Sequence, residues 1–412
     1  MKKSLVLMAM AGVALAGCVN DVAEVAQNQE QKKVKIAFES PVMYDNAESR
    51  ALVSGEIGAN QILKNYDEGE TFRIFAVQYP DNTNFSTWDG LEEADVNGAE
   101  AKYAGTSIDG WVPYLIEDNP ETVDKDETEY YYWPSGYKMA FAAISPYWLG
   151  VGNTDLQDCN VSYDENGLTI TNFQVQPDAT NQYDLLYGER ITEMTANKMQ
   201  IGANNYNGVP IRFHHALSSI RFSLMNHTNA KLILNRISLW GPKYKGDFKE
   251  NYDEDVNTGT YADKATPEWT LKSDSVLRAH PYIAFEGELD FPYNPSYISD
   301  LVKGTIGNNV HQLLLMPQTI GSEDIETNNV IYLQVDYKVD GQPKTKYVIL
   351  NNRKSLNSAE GMNDAETIAV WEMGYRYTYR ITYDAGSAQK DMIYFAPSTE
   401  AFVDEKVVVV SL

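Results

Sequence analysis

Cysteine is nearly absent, with two in 412 residues. Cys18 closes an N-terminal apolar run, and Cys159 alone lies within the body of the chain. One thiol cannot form an internal disulfide, so a disulfide framework is excluded. Cys159 sits in NTDLQDCNVSYDENG with no histidine beside it, which suits a small loop or strand residue better than a nucleophile. Histidine is scarce too, at five. His214 and His215 are adjacent, so on a strand they point to opposite faces and do not share one metal in simple geometry. One core-facing histidine bonded to backbone is the expected arrangement there.

Positive charge is short as well. The chain has 33 Lys and Arg against 58 Asp and Glu, a net charge of −25. Nucleic acid and anionic headgroups are repelled by such a surface, and no basic patch offsets it. Catalytic signatures are missing: there is no G-x-S-x-G, P-loop, H-E-x-x-H or EF-hand pattern. The acidic clusters at Asp124–Glu127 and Asp253–Asp255 lack the spacing of a calcium loop. With so many carboxylates, any pair would serve equally as a glycosidase dyad, so none is singled out. The reading therefore assigns no catalytic residue, no metal ligand and no cofactor.

What is present begins at the N-terminus. Lys2 and Lys3 precede an apolar run, Leu5 to Ala16, of signal-peptide length and too short to span a bilayer. The run ends in Leu15-Ala16-Gly17-Cys18, which resembles a bacterial lipobox, with cleavage before the cysteine and a lipid on Cys18. Residues 1–17 are thus expected to be a lipoprotein signal peptide, and polar residues 18–32 a flexible tether. In KKVKIAFES, Val34, Ile36 and Phe38 alternate with Lys33, Lys35, Ala37 and Glu39, a half-buried strand pattern. The following PVMYDNAESRALVSGE reads as an exposed loop in which Arg50 is the single basic residue.

Most of the remainder alternates with a period of two. FRIFAVQY at 72–79 is strand-like, and YYYWPSGYKMAFAAI at 130–144 reads as strand, turn, strand. Asn166-Gly167 and Asp340-Gly341 mark two hairpins. In IRFHHALSSIRFSL the apolar parity switches near Ser218-Ser219, which predicts a bulge or bend. YRYTYRITY has the cleanest two-residue period, and residues 296–303 are the best candidate for a short helix. An all-β protein of sandwiches with few short helices follows. The length calls for two domains, and the least strand-like join, MNHTNAK at 225–231, divides the chain into 33–227 and 228–412. The chain closes on DEKVVVVSL, a strand-prone run with nothing after it.

Several segments in this order, KVKIAF with ESRA, YYYWPSGYKMAFAAISPY, YDLLYGE, VPIRFHHALSSIRFSL, LLLMPQ and WEMGYRYTYRITY, resemble the fimbrillin family of Bacteroidota type V pili. That resemblance implies two tandem transthyretin-like β-sandwiches in a lipoprotein precursor of the outer membrane and cell surface. It implies cleavage between Arg50 and Ala51 by an arginine-specific or trypsin-like protease, which releases the strand of Val34, Ile36 and Phe38. It further implies that Val407, Val408, Val409 and Val410 of another subunit fill the vacated groove, a head-to-tail strand addition that propagates as a filament. The expected partners are other pilus subunits, the protease and, before processing, the outer membrane. The alternative is a monomeric surface lipoprotein that binds glycan through some of its 28 tyrosines and 7 tryptophans. Most of those rings, however, fall in alternating strands where aromatics pack cores.

Overall fold

The structure is a computed structural model. It describes stretches of chain between residues 36 and 401, continuous over 72–85, 131–146, 167–196, 208–251, 266–275, 280–298, 330–350, 367–384 and 392–401, with shorter pieces between them. Those residues are almost entirely strand. Ala179–Asn181 forms a three-residue 3-10 turn.

Four larger sheets carry the fold. The first runs in the order β1-β11-β8-β5-β2-β3-β4. Its members are β1 (Val42–Met43), β2 (Phe72–Pro80), β3 (Val96–Tyr103), β4 (Trp111–Tyr114), β5 (Tyr137–Ser145), β8 (Leu186–Met194) and β11 (Arg212–His215). The second joins β6 (Asn160–Asp164) and β7 (Gly167–Gln174) to β14 (Lys245–Asn251) and β17 (Thr266–Leu271). The third orders β19 (Asn294–Ile298), β12 (Ser218–Asn226), β27 (Tyr375–Asp384) and β28 (Met392–Ala401), with β20 (Leu313–Leu315) also paired to β12. The fourth orders β18 (Tyr282–Phe291), β13 (Leu232–Trp240), β22 (Tyr332–Val339) and β23 (Gln342–Ile349). Two-residue pairs complete the described strands: β9 (Gln200–Ile201) with β10 (Asn205–Tyr206), β15 (Glu254–Asp255) with β16 (Thr260–Tyr261), β21 (Gln318–Thr319) with β26 (Val370–Trp371), and β24 (Arg353–Lys354) with β25 (Thr367–Ile368).

Why FRIFAVQY reads as a nearly unbroken apolar run is now plain: β2 is covered on both faces. Phe72, Ile74 and Ala76 join one core with Phe141 and Phe213, whereas Phe75, Val77 and Tyr79 join another with Leu168 and Ile170. Large and small side chains alternate across the β2–β5 ladder. Phe75 faces Ala142 and Ala76 faces Phe141, which lets both rings pack without a void. The Asp340-Gly341 turn matches expectation, with φ of 48° and 82°, the two positive values that a two-residue hairpin loop demands. On β22 the expected alternation places Leu333, Val335 and Tyr337 in the core.

One local expectation, the helix over 296–298, differs from the structure. The parity switch in IRFHHALSSIRFSL is a change of sheet: β11 ends at His215 in the first sheet, and β12 begins at Ser218 in the third. The chain bends at Leu217 between the two sheets, as expected near Ser218, and the passage changes the apolar parity. The helix expected at 296–303 is displaced over residues 296–298 by β19, where Leu224 pairs with Ile298 and Asn226 with Asn294. A short edge pairing there outweighs weak local helix preference, which a segment of this length cannot sustain alone. Residues 227–231 form the turn from β12 to β13, in which the Asn226 carboxamide oxygen accepts from the Thr228 N–H and hydroxyl, both at 2.9 Å. Pairing crosses this turn, since β12 lies beside β19, β20 and β27 and β7 lies beside β14.

Candidate functional site

At the β11 edge of the first sheet lie the earliest described residues. Ile36, Ala37 and Phe38 are 1%, 4% and 1% exposed. The Ile36 N–H donates to the Tyr131 carbonyl at 2.9 Å, and the Val209 N–H donates to the Ala37 carbonyl at 2.7 Å. Phe38 bridges Val209 in parallel, and β1 continues in parallel beside β11, with Val42 opposite Arg212 and Met43 opposite Phe213. Parallel pairing of this kind joins residues some 170 positions apart in sequence (212 − 42 = 170).

Beneath the segment is a bed of rings. Phe38 meets Phe141 edge-on at 5.5 Å and Phe72 at 6.1 Å. Phe72 meets Phe213 at 5.5 Å, and Trp133 meets Phe141 at 5.8 Å. Burying an Ile or Phe side chain stabilises by about 1.5–3 kcal/mol, and each well-set ring pair adds about 0.5–1.5 kcal/mol. The side chains of Ile36 and Phe38 therefore contribute strongly to holding the segment down. Lifting it off would leave an apolar trough and the open edge of β11.

Of the residues singled out from sequence, Ile36 and Phe38 fall together in this site. Cys18, Val34, Arg50, Ala51 and Val407 to Val410 lie outside the described residues. Sequence reading missed the partners: Tyr131, Trp133, Phe72, Phe141, Val209 and Phe213. The dense aromatic segment YYYWPSGYKMAF was the one signal pointing to them.

The other candidates are structural. Cys159 is buried, and burial pushes its thiol up to about 12 despite nearby Lys245, so it carries no thiolate at neutral pH. Both histidines are buried, and each has a ring nitrogen beside a carboxylate. His214 Nε2 lies 3.0 Å from Glu189 while its ring stacks on Tyr187, and His215 Nδ1 lies 2.7 Å from Asp184. Among the described residues no cluster of His, Cys, Asp or Glu is placed to hold a metal. None of their helices is long and apolar enough to cross a membrane.

Glu193 ties the far end of the same sheet. Its carboxylate accepts from Lys138 Nζ at 2.6 Å, the Phe85 N–H at 2.8 Å and the Tyr79 hydroxyl at 3.1 Å. Burial alone would raise the Glu193 carboxyl, but these donors outweigh it and hold it below its ordinary value. Burial pushes the Tyr79 hydroxyl above its usual range, so it remains a donor.

A seven-stranded sheet with the earliest described segment buried at its edge, in a chain that is β-rich throughout its described residues, is the setting for comparison with known proteins. The fimbrillin-like family matches residues 64–394. The chain belongs to this family. Fimbrillins are structural pilus subunits of the cell surface, not enzymes. No curated protein matches the sequence. Among solved structures, a fimbrial protein from Bacteroides vulgatus is similar at 15% identity and a TM-score of 0.51, over 89% of this chain and 99% of that one. The tip fimbrial protein Mfa3 from Porphyromonas gingivalis, with a C-terminal truncation, is similar at 10% identity and a TM-score of 0.35, over 80% and 93%. The first likeness supports the all-β fimbrillin fold.

Proposed function

We propose that this fimbrillin is exported as a lipoprotein precursor carrying lipid on Cys18, is cut between Arg50 and Ala51, and polymerises by strand exchange into a type V pilus. The observation that carries the reading is the seating of Ile36–Phe38. This segment is buried at the edge of the first sheet, with Phe38 seated on Phe72 and Phe141. A cut beyond it removes its covalent tie to the body. Its departure uncovers the trough over Phe72, Phe141 and Phe213, and Val407 to Val410 of a second subunit supply an apolar strand to refill it. The exchange is heterologous, so it extends as a filament rather than closing as a dimer. The chain divides into two sandwich units, and the change of sheet at Ala216-Leu217 is the natural join between them.

Limited digestion with an arginine-specific protease, followed by N-terminal sequencing and electron microscopy, tests this directly. The expected result is a new terminus at Ala51 together with filaments. Deleting residues 406–412 should abolish the filaments while leaving the thermal midpoint within about 2 °C, because the terminal strand serves the neighbour. Filaments from the deleted chain would overturn the donor assignment, and filaments without cleavage would overturn the processing step.

A further inference from the structure

The outer face of the fourth sheet carries an arrangement that strand exchange does not use. Its first rung across β13, β22 and β23 is Trp240, Tyr332 and Ile349. The second is Ser238, Gln334 and Tyr347, and the third is Arg236, Asp336 and Thr345. Trp240 and Tyr332 stack within 7° of parallel at 6.0 Å. Tyr347 turns edge-on to Tyr332 at 5.9 Å and is 60% exposed, the most exposed large apolar side chain among the described residues.

A fixed polar row adjoins the rings. The Trp240 Nε1–H donates to Gln334 Oε1 at 3.1 Å. Gln334 Nε2 donates to Asp336 at 3.0 and 3.2 Å, and the Thr345 hydroxyl donates to Asp336 at 2.7 Å. These bonds fix the amide and carboxylate while leaving both half-exposed. Burial and the neighbouring Tyr347 push the Tyr332 hydroxyl up, so it is a protonated donor at neutral pH. Beyond Arg236 the face opens into a cleft of about 610 Å³ bordered by Arg236, His280, Ile283 and Glu286. Three rungs over three strands make a platform of roughly 14 by 10 Å.

Rings for apolar C–H surfaces, beside rigid groups that both donate and accept, suit a molecule whose faces are apolar and whose rim is hydroxyl. The charges on the same face argue against a protein partner. Arg236 and Asp336 lie on the third rung, with Lys338 and Glu288 paired at 2.7 Å next to them, and interface centres are depleted of such residues. The net charge of −25 argues against an anionic ligand.

We infer that this face, centred on Trp240, Tyr332, Tyr347, Gln334 and Asp336, binds a short neutral oligosaccharide. Binding here is independent of strand exchange, so the two readings can fail separately. The test uses the full chain, titrated with maltohexaose, mannopentaose and N-acetylchitohexaose, with tetragalacturonate as the anionic control. Calorimetry gives affinity, and the Trp240 indole N–H resonance reports the place. At least one neutral sugar should bind and shift that resonance. Tyr347→Ala should weaken binding about tenfold or more, with an unchanged thermal midpoint because the side chain is exposed. Tyr332→Ala should weaken binding as well.

The inference is overturned if no neutral sugar binds up to about 10 mM, a range already at the weak limit of specific recognition. Binding that neither substitution alters, or stronger binding of tetragalacturonate, overturns it too. If Tyr347→Ala impairs filament formation while no sugar binds, the face belongs to a second copy of the chain and the inference falls.

Discussion

Two strands of this molecule run parallel to a later strand, one at the edge of its sheet and one in the interior. The segment from Ile36 to Met43 opens the first sheet and runs parallel to β11; β12 opens the third sheet and runs parallel to β27. The first makes a bridge at Phe38 and two paired positions at Val42 and Met43. The second pairs eight successive residues, Ser219 to Asn226, with Arg376 to Tyr383, and on its other side it meets β19 and β20. Among the described residues, the first lies at the border of its sheet and the second is interior to its own. Parallel placement alone therefore does not set how deeply a strand is built into its sheet.

Substitution should show the contrast most sharply in the interior copy. Phe222 is 1% exposed on β12, and Phe222→Ala should cost about 3–5 kcal/mol of global stability, read as a lower urea midpoint with unchanged slope. Phe38→Ala removes an equally buried ring, yet its main effect should be local. The loss of about 3 kcal/mol falls on the docking of one segment. Amide exchange at Ile36 and Val209 should then speed by at least about tenfold, while amides of β12 keep their protection. Equal loss of global stability in the two variants would break the comparison.

A smaller loss is expected at the centre of the third sheet. The buried Trp371 Nε1–H donates to the Tyr379 hydroxyl at 3.0 Å. Trp371→Phe leaves that hydroxyl without its donor and removes ring volume, so about 1–3 kcal/mol should be lost, again as a lower urea midpoint, with no change at Ile36.

The smallest effect is set by pH. Glu193 has a carboxyl lowered in the fold, so its contribution is complete above its unfolded value, near 4.5, and is lost as pH falls through the folded value. Glu193→Gln should therefore destabilise the protein at pH 7, and the gap from the parent should close below about pH 4. Urea midpoints at several pH values measure this, and a gap that persists in acid would place the effect in packing instead.

Elements set by near neighbours were readable from the chain. The period of YRYTYRITY became β27, and Asp340-Gly341 became the hairpin turn between β22 and β23. Ile36 and Phe38 were chosen by alternation and are buried, but Ala37 is buried as well, because Tyr131 and Val209 close over the segment from elsewhere in the chain. The partners across long sequence gaps were hidden for the same reason. Nothing local to Phe38 names Phe141 or Val209, and nothing local to Ser218 tells a bulge from a passage into another sheet. Residues 296–298 likewise carry no mark of their pairing with β12.

The β7–β14 ladder has a mechanical consequence. The chain crosses from the first sheet to the third through Ala216-Leu217, and the second sheet draws β6 and β7 from before that crossing together with β14 and β17 from after it. If subunits join as proposed above, tension entering one half of a subunit reaches the other through the chain itself and through this hydrogen-bonded ladder, beside the core both halves share. The hydrogen-bonded stitch must shear before the single peptide connection bears the full pull. Flow over a cell surface would thus be resisted first by a seam that can re-form.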